Sequence, residues 1–590
     1  MRILFFSPHA YVTVHSLSEA IVAEALKERG HDVTIVSCGG VLSKFCISMS
    51  AARLSPQSST SEKENVCEIC RERRDLIIKE FRFSSINIDE YLIKDDEASI
   101  QNIISNICQV DFTGLTLMDI PVGRYALYEF LLHNKLNTLS LTNVEWEEYK
   151  IYLYNCLRIA YAGNRIFEDV KPDTITTYNS LYSVNHIFCA IAEQRGIPHY
   201  TLHGGNHIKY RYSSMTIFRG YLASSLITRT EPWGKLSKMP ISANQVQVVA
   251  EHVEELLKAK DPFVYSTASK GESSESLRKY FGIGSEKKVL LATMASADER
   301  FAGAMIDVMP PLVEPMFPTQ IDWINALTEF VRNRNDLFLI IRVNPREFPN
   351  KRDGVLSKQA VQLQNLFVNL QSNVSVNWPH DEISIYSLAK ITDVGLNATS
   401  TTGIELGMLG VPVVLYDADQ LFAYPPEINY VASGPDDYFN KIDVALRQGW
   451  SFENVRKVYR WLSYNFQYVA IDISDGLRKP EAPSFCDRVY YDLLRRLNKH
   501  RLVERQVLIR RLKKRNIPVK NSELLSIAIE QNLESHLELI NPDQWVQATL
   551  EEETTAIKNQ ISELFQFIAL KDDPSDEFTH RINQVLSVTK

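Results

Sequence analysis

The first 37 residues restrict the fold more than any other stretch. "RILFFS" is a short apolar run, "SLSEAIVAEALKERG" carries apolar residues at helical spacing, and "HDVTIVS" is a second apolar run. Strand, helix and strand in so short a segment make a βαβ unit, whose two strands must lie parallel. Gly30 stops the helix, because glycine accepts the left-handed conformation of a C-cap. The pattern returns at "PDTITTYN" (172–179), "LYSVNHIFCAIAEQRG" (181–196) and "IPHYTLH" (197–203). Together these segments predict a doubly wound α/β domain, with helical insertions between about 90 and 170.

At 590 residues the chain exceeds what one core supports. After the helical "ANQVQVVAEHVEELLKAKD" and the Ser-rich "STASKGESSESLRKYFG", strands and helices alternate again. "KKVLLATM" (287–294), "DLFLIIRVNP" (336–345), "NVSVNWP" (373–379), "TDVGLN" (392–397) and "VPVVLYD" (411–417) are the strand candidates of a second parallel sheet. The expected limits are 1–260 for the first Rossmann-like domain, 280–475 for the second and 480–590 for a helical extension. Ligands of such sheets bind beyond the carboxyl ends of the strands, so a cleft between the domains is expected. The loops after Ser7, Leu202, Val343 and Leu396 fall there.

A net charge of −8 argues against a protein built to neutralise nucleic-acid phosphates, and no nucleic-acid partner is expected. No window approaches 18 uninterrupted apolar residues, and "MRILFFSPHA" lacks the regions of a signal peptide. The expectation is a cytoplasmic protein with reduced cysteines.

Two loops of the second domain could carry anion chemistry. "NATSTTGIELGMLGVPVVLYD" (397–417) sets Thr399, Ser400, Thr401 and Thr402 between a strand and a helix. First-turn amides are unpaired and the helix dipole is positive there, so this loop could hold a phosphate; the alternative is one N-cap with solvated neighbours. Glu405, one turn on, could accept from a ribose or serve the first turn itself. In "IIRVNPREFPNKR" (340–352), Arg342, Arg346, Lys351 and Arg352 gather positive charge while Pro345 and Pro349 keep the loop out of helix. That suits a diphosphate, or is an ordinary basic loop.

"RVNP", "HDEISIYSLAKITDVGLNATSTTGIELGMLGVPVV" and the first βαβ unit resemble the GT-B glycosyltransferases, and within them the capsule polysaccharide biosynthesis and Kdo-transferase group. The resemblance is clearest over about 336–417 and fair over 1–37. It implies a nucleotide-sugar donor, a surface-polysaccharide or lipid-linked acceptor, and no divalent ion in the transfer itself. It also implies an Arg-x-His-Pro motif and a Ser/Thr pair on the donor phosphates, here Arg342 to Pro345 and Thr399 to Thr402. Asn344 replaces the usual histidine, which removes proton chemistry at that position.

The first domain would then supply the acceptor side and, in an inverting enzyme, a general base. His203 in "LHGGNH" resembles the "QHG" or "WHG" loop of capsule and teichoic-acid enzymes and is the first candidate. His15, sixteen residues before His31, keeps the interval seen in many nucleotide-sugar-dependent enzymes and is the second; His9 shares its loop. Each could equally be a hydrogen-bonded loop residue. Gly204 and Gly205 would let backbone approach a ligand, and His207, Lys209, Tyr210, Arg211 and Tyr212 interleave basic and aromatic groups suited to an anionic sugar. Two alternatives stand beside a glycosyltransferase. One is a non-hydrolysing nucleotide-sugar 2-epimerase, which needs an acid–base pair of carboxylates that the N-terminal loops do not display. The other is a catalytically inert GT-B scaffold in a polysaccharide-assembly complex.

Cys38, Cys46, Cys67 and Cys70 fall within 33 residues and hold half of the eight cysteines. "CEIC" can chelate, and the other two thiolates could complete a structural zinc site or an iron–sulfur cluster; four buried apolar cysteines are the alternative. Between 488 and 515 basic residues outnumber acidic ones by eleven to two. This helical stretch could lie on an anionic membrane at its inner face, or pack on the body of the protein with its charges solvated or paired with the acidic helix after 530.

Overall fold

A computed structural model describes residues 1–211, 213–222, 232–260, 264–307, 316–350, 353–398, 400–416, 425–474, 476, 484–496, 500–513, 521–541, 548–568 and 576–587. Among them, strands form a seven-stranded sheet and a five-stranded sheet. The first has the order β12-β6-β5-β4-β1-β2-β3, with β1 Arg2–Phe6, β2 Asp32–Ser37, β3 Ser84–Asn87, β4 Thr174–Tyr178, β5 His199–Gly204, β6 Ser214–Arg219 and β12 Ile471–Asp472. The second is parallel throughout, in the order β11-β10-β7-β8-β9: β7 Lys288–Thr293, β8 Leu337–Arg342, β9 Val374–Asn377, β10 Val394–Asn397 and β11 Val413–Leu415.

Period-two burial makes both sheets. Ile3 and Phe5 pack on one side of β1 and Leu4 and Phe6 on the other, each in its own core. In β7, Val289 and Leu291 face one core while Leu290 and Ala292 face another. Strands buried on both faces need helices above and below, which the crossover helices Thr13–Glu28, Ser183–Gln194 and Gln320–Arg332 supply. Two features go beyond the sequence reading. β6 runs antiparallel to β5, and β12, reached after the long helix Phe452–Tyr464, returns to the first sheet and pairs antiparallel with β6. The chain is therefore α/β, two doubly wound domains with their chain crossing back, which is the GT-B architecture.

The extension binds both halves. In the basic helix His500–Lys513, Arg501 pairs with Glu68 and Glu72 at 3.1 Å, and Arg505 with Glu72, on helix Thr60–Phe81. Its leucines Leu508 and Leu512 join the core of the first sheet. Glu530 at the end of helix Ser522–Glu530 clasps Arg29 and His31. The acidic helix Leu550–Ile568 pairs elsewhere than with the basic one, since its buried Glu553 holds Arg460 of the second half at 2.6 Å. Arg581 in the last helix, Glu577–Leu586, binds Asp393 at 3.1 Å. Among the described residues no helix is long and apolar enough to cross a membrane.

Candidate functional site

At the carboxyl ends of β1, β4 and β5 three imidazoles gather, two of them stacked on one tyrosine. Helix Thr13–Glu28 begins just past β1 and sets His15 flat on Tyr178, with ring centroids 4.0 Å apart at 17°. Tyr178 ends β4, and His203 of β5 lies 5.8 Å from it on a nearly parallel plane. His9, in the loop between β1 and the helix, meets Tyr182 edge-on at 5.9 Å.

Burial, followed by the neighbouring His203, His9 and Arg211, drives the His15 pKa down to about 3. Burial alone takes His9 to about 3. Both rings are neutral at pH 7, because burial penalises their charged form. His9 is only 6% exposed and neither ring nitrogen has a hydrogen-bond partner within the protein. A buried imidazole left in that state is costly unless something else occupies its lone pair. The Nδ1 of His203 lies 2.9 Å from the Gly204 carbonyl, which can only accept, so Nδ1 carries the proton and Nε2 is the basic nitrogen.

Glycines 204 and 205 serve the protein's own packing. A Cβ on Gly204 would strike the Arg211 carbonyl and the Tyr178 hydroxyl, and one on Gly205 would fall on Ser214 and Ala470. The basic and aromatic run beyond them is likewise spent inward: Lys209 and Tyr210 both bind Glu251 on helix Ala243–Lys258, and His207 Nε2 meets the Val248 carbonyl. Arg211 alone of that run reaches the imidazole cluster; Tyr212 lies outside the described residues.

The loops of the second domain are internally braced. Arg342 is 7% exposed and its Nη1 donates to Asn377 Oδ1 at 2.5 Å and to the Ile383 carbonyl at 2.9 Å. Burial lowers its pKa to about 10, against the pull of Glu405 and Asp381. Asn344 caps the 3-10 turn Pro345–Glu347 by accepting from the Arg346 amide, and its Nδ2 donates to the Met294 carbonyl. Arg346 pairs with Asp298 at 2.5 Å and reaches Glu299, so its own charge is met within the protein. Lys351 and Arg352 are outside the described residues, as is Thr399. Ser400 and Thr402 share a hydrogen bond of 2.8 Å, Thr401 is exposed, and the short helix Thr402–Met408 follows. Glu405 accepts from Tyr386 at 2.7 Å, and burial raises its pKa while Arg342 lowers it.

Helix Leu127–Asn134 joins the two sides. Its Tyr128 feels Glu299 and Arg346 from the second domain and Tyr182 and Glu129 from the first. Arg346 donates to the Leu132 carbonyl, and Lys135 to the carbonyls of Phe348 and Val355. The carboxyl ends of β4, β7 and β8 thus face one another across this helix.

Two carboxyls, Glu19 buried and Glu129 half-buried, were not visible as site residues in the sequence. Glu19 accepts from Ser7 Oγ at 2.5 Å and from the Tyr178 amide at 3.0 Å, and burial raises its pKa to about 8. Glu129 accepts the Ser183 amide, and burial raises it to about 7. The interval His15 to Glu19, one helical turn, is the signal that could have placed the first of them on the cleft face.

No family model matches the chain, and no curated protein is similar to it in sequence. Solved structures similar to it include KpsC, the beta Kdo 2,4 transferase of Thermosulfurimonas dismutans, at 10% identity over 51% of this chain and 82% of that one, with a TM-score of 0.31. The UDP-GlcNAc 2-epimerase of Neisseria meningitidis bound to UDP-GlcNAc gives 12% over 79% and 97%, with a TM-score of 0.24. The calicheamicin glycosyltransferase CalG4 gives 14% over 84% and 98%, again at 0.24. Superpositions of that extent define no shared site, and the chemistry rests on this chain's own residues.

Proposed function

We propose that the chain is a nucleotide-sugar-dependent glycosyltransferase acting on a surface-polysaccharide or glycolipid acceptor, with His203 as base. The observation that carries this reading is the imidazole cluster: His15 and His203 stacked on Tyr178 with His9 close by, His9 and His15 kept neutral by burial, at strand ends that face the other domain. In an inverting transfer the acceptor oxygen attacks the anomeric carbon, its proton passes to His203 Nε2, and the bond from that carbon to the donor phosphate breaks. Arg211 and the neighbouring imidazoles favour the departing anion. Ser400, Thr401 and Thr402 would bind the donor phosphates and Glu405 the ribose. The inward guanidinium of Arg342 supports a role in positioning the Asn377 and Ile383 loop beneath them, in place of direct phosphate contact.

A thermal-shift screen of UDP, GDP, CMP and CDP sugars tests the donor half, followed by product analysis with an acceptor extract. Stabilisation by one nucleotide class, lost in Ser400→Ala, is the expected result. No shift with any of them favours the inert scaffold.

The 2-epimerase reading would draw on two carboxyls raised by burial, Glu19 held by Ser7 and the Tyr178 amide, and Glu129 held by Ser183. Incubation with nucleotide sugar alone separates the two: an epimer as product supports the epimerase, and slow hydrolysis alone supports transfer.

A further inference from the structure

The geometry points to a groove for an anionic glycan chain along helix Thr60–Phe81. A cavity of about 610 Å³ opens at the start of that helix, with Ser43, Lys44, Thr60, Lys63, Glu64 and Arg71 in its wall. A second, of about 530 Å³, continues from Arg71 to Lys79 between this helix and helix His500–Lys513. The two share Glu68 and Arg71. From Thr60 to Lys79 the helix runs about 28 Å at 1.5 Å per residue, the span of a chain and not of a single sugar.

Positive charge in this groove is left unspent. Arg73 and Arg74 on the same helix are committed, the first to the Tyr11 carbonyl and Glu504, the second to Asp75 and Asn87. Arg71, where the two cavities meet, makes no hydrogen bond or ion pair among the described residues. Lys44 lies 3.5 Å over the Tyr154 ring and Lys63 donates to the Pro56 carbonyl, so neither is paired with a carboxylate. Lys79 also has no ion pair among the described residues. The acids are mostly taken: Glu68 and Glu72 by Arg501 and Arg505, and Asp75 by Arg74. Among the described residues that leaves four unpaired cations facing one carboxylate, Glu64, a balance that draws in an anion.

The rest of the wall selects the class. Ser43, Thr60 and Glu64 can exchange hydrogen bonds with sugar hydroxyls, and the Arg71 fork matches a carboxylate or a phosphate. Single-stranded nucleic acid needs aromatic faces for its bases, and neither cavity has an aromatic side chain among the described residues of its wall. Gly40, also in the wall, follows β2, the neighbour of β1 in the sheet, so the groove lies one strand along from the imidazole cluster. The cysteines beside it do not form the metal site expected from Cys38, Cys46, Cys67 and Cys70. Among the described residues no group of three or more His, Cys, Asp or Glu side chains is placed to hold an ion, and burial pushes the Cys38 thiol up to about 11. Cys38, Cys46 and Cys67 pack against the core instead. The groove stands apart from the transfer reading, since an inert scaffold would hold the same chain.

The test is binding of labelled oligogalacturonate to the full chain by fluorescence anisotropy, beside dextran of equal length and a DNA oligomer of equal charge. Oligogalacturonate should bind more tightly than galacturonate monomer, more tightly than either comparison, and less tightly as salt rises. Arg71 is exposed and holds nothing in place, so Arg71→Ala should keep the wild-type melt while affinity falls roughly tenfold or more. Lys63→Ala should act in the same direction, and Arg332→Ala in the second domain should change nothing. Absence of binding at low salt, binding that survives Arg71→Ala combined with Lys63→Ala, or binding that dextran or the monomer matches overturns the assignment. Tighter binding of DNA overturns it in favour of a nucleic acid.

Discussion

On the first-domain side of the cleft His9 keeps both ring nitrogens unbonded in a buried position, and two further imidazoles lie beside it. On the second-domain side Arg342, Asn344 and Arg346 direct their polar atoms to partners inside the protein. One side is poised and the other braced. Burial of the same kind lowers His186 and His252 elsewhere in the fold, so it is the clustering of His9, His15 and His203 at strand ends that sets the first side apart.

The contrast can be broken at either side. His203→Ala should lower the transfer rate roughly 10²- to 10⁴-fold while leaving the nucleotide-induced thermal shift in place; a loss below tenfold would remove His203 from the chemistry. Arg346→Met leaves Asp298 buried without its partner, so unfolding should become easier by about 3–5 kcal/mol, read in urea melts. A change below 1 kcal/mol would mean the loop is not braced as described. The double substitution Ser400→Ala with Thr402→Ala should weaken nucleotide binding by roughly 0.5–1.5 kcal/mol per lost bond with kcat retained. A fall in kcat at unchanged affinity would move chemistry to the braced side.

The smallest effect is in pH. His9 and His15 have folded pKa values near 3 against 6.5 unfolded, so the unfolded state binds more protons between those limits and stability falls as pH drops through that window. Glu19 acts oppositely: its value near 8 against 4.5 means the folded state binds more protons there, and stability is lost as pH rises from 4.5 to 8. His9→Gln should flatten the acid side by up to about 1.4 kcal/mol per pH unit, the value of one proton. Glu19→Gln should instead raise the melting temperature above pH 8 relative to wild type. Parallel pH profiles for wild type and both variants would contradict the burial assigned to these groups.

The alternation of apolar runs and helical periods made both sheets readable, from "RILFFS" to "VPVVLYD", because strands buried on two faces leave continuous apolar runs. β3 and β12 were not readable because they are short, and β6 and β12 pair antiparallel, β6 with β5 across residues 205–213 and β12 with β6 across residues 220–470. In the site, His15 and His203 could be chosen from their places at strand ends. Tyr178, the plane on which both lie, looked like one more strand residue, since nothing local in "TITTYN" says what will stack on its last ring. Glu19 looked like the solvated side of a helix. The partners of Arg346 stand nearly fifty residues away on another strand's loop, and no spacing rule reaches that far.

The tail also bears on how such a chain can be rebuilt. Glu530 grips the first half through Arg29 and His31, while Glu553 and Arg581 grip the second through Arg460 and Asp393. A chimera that exchanged one half for that of another protein would inherit a tail cut to fit the old one. The replacement half must therefore arrive with its own stretch of the C-terminal helices.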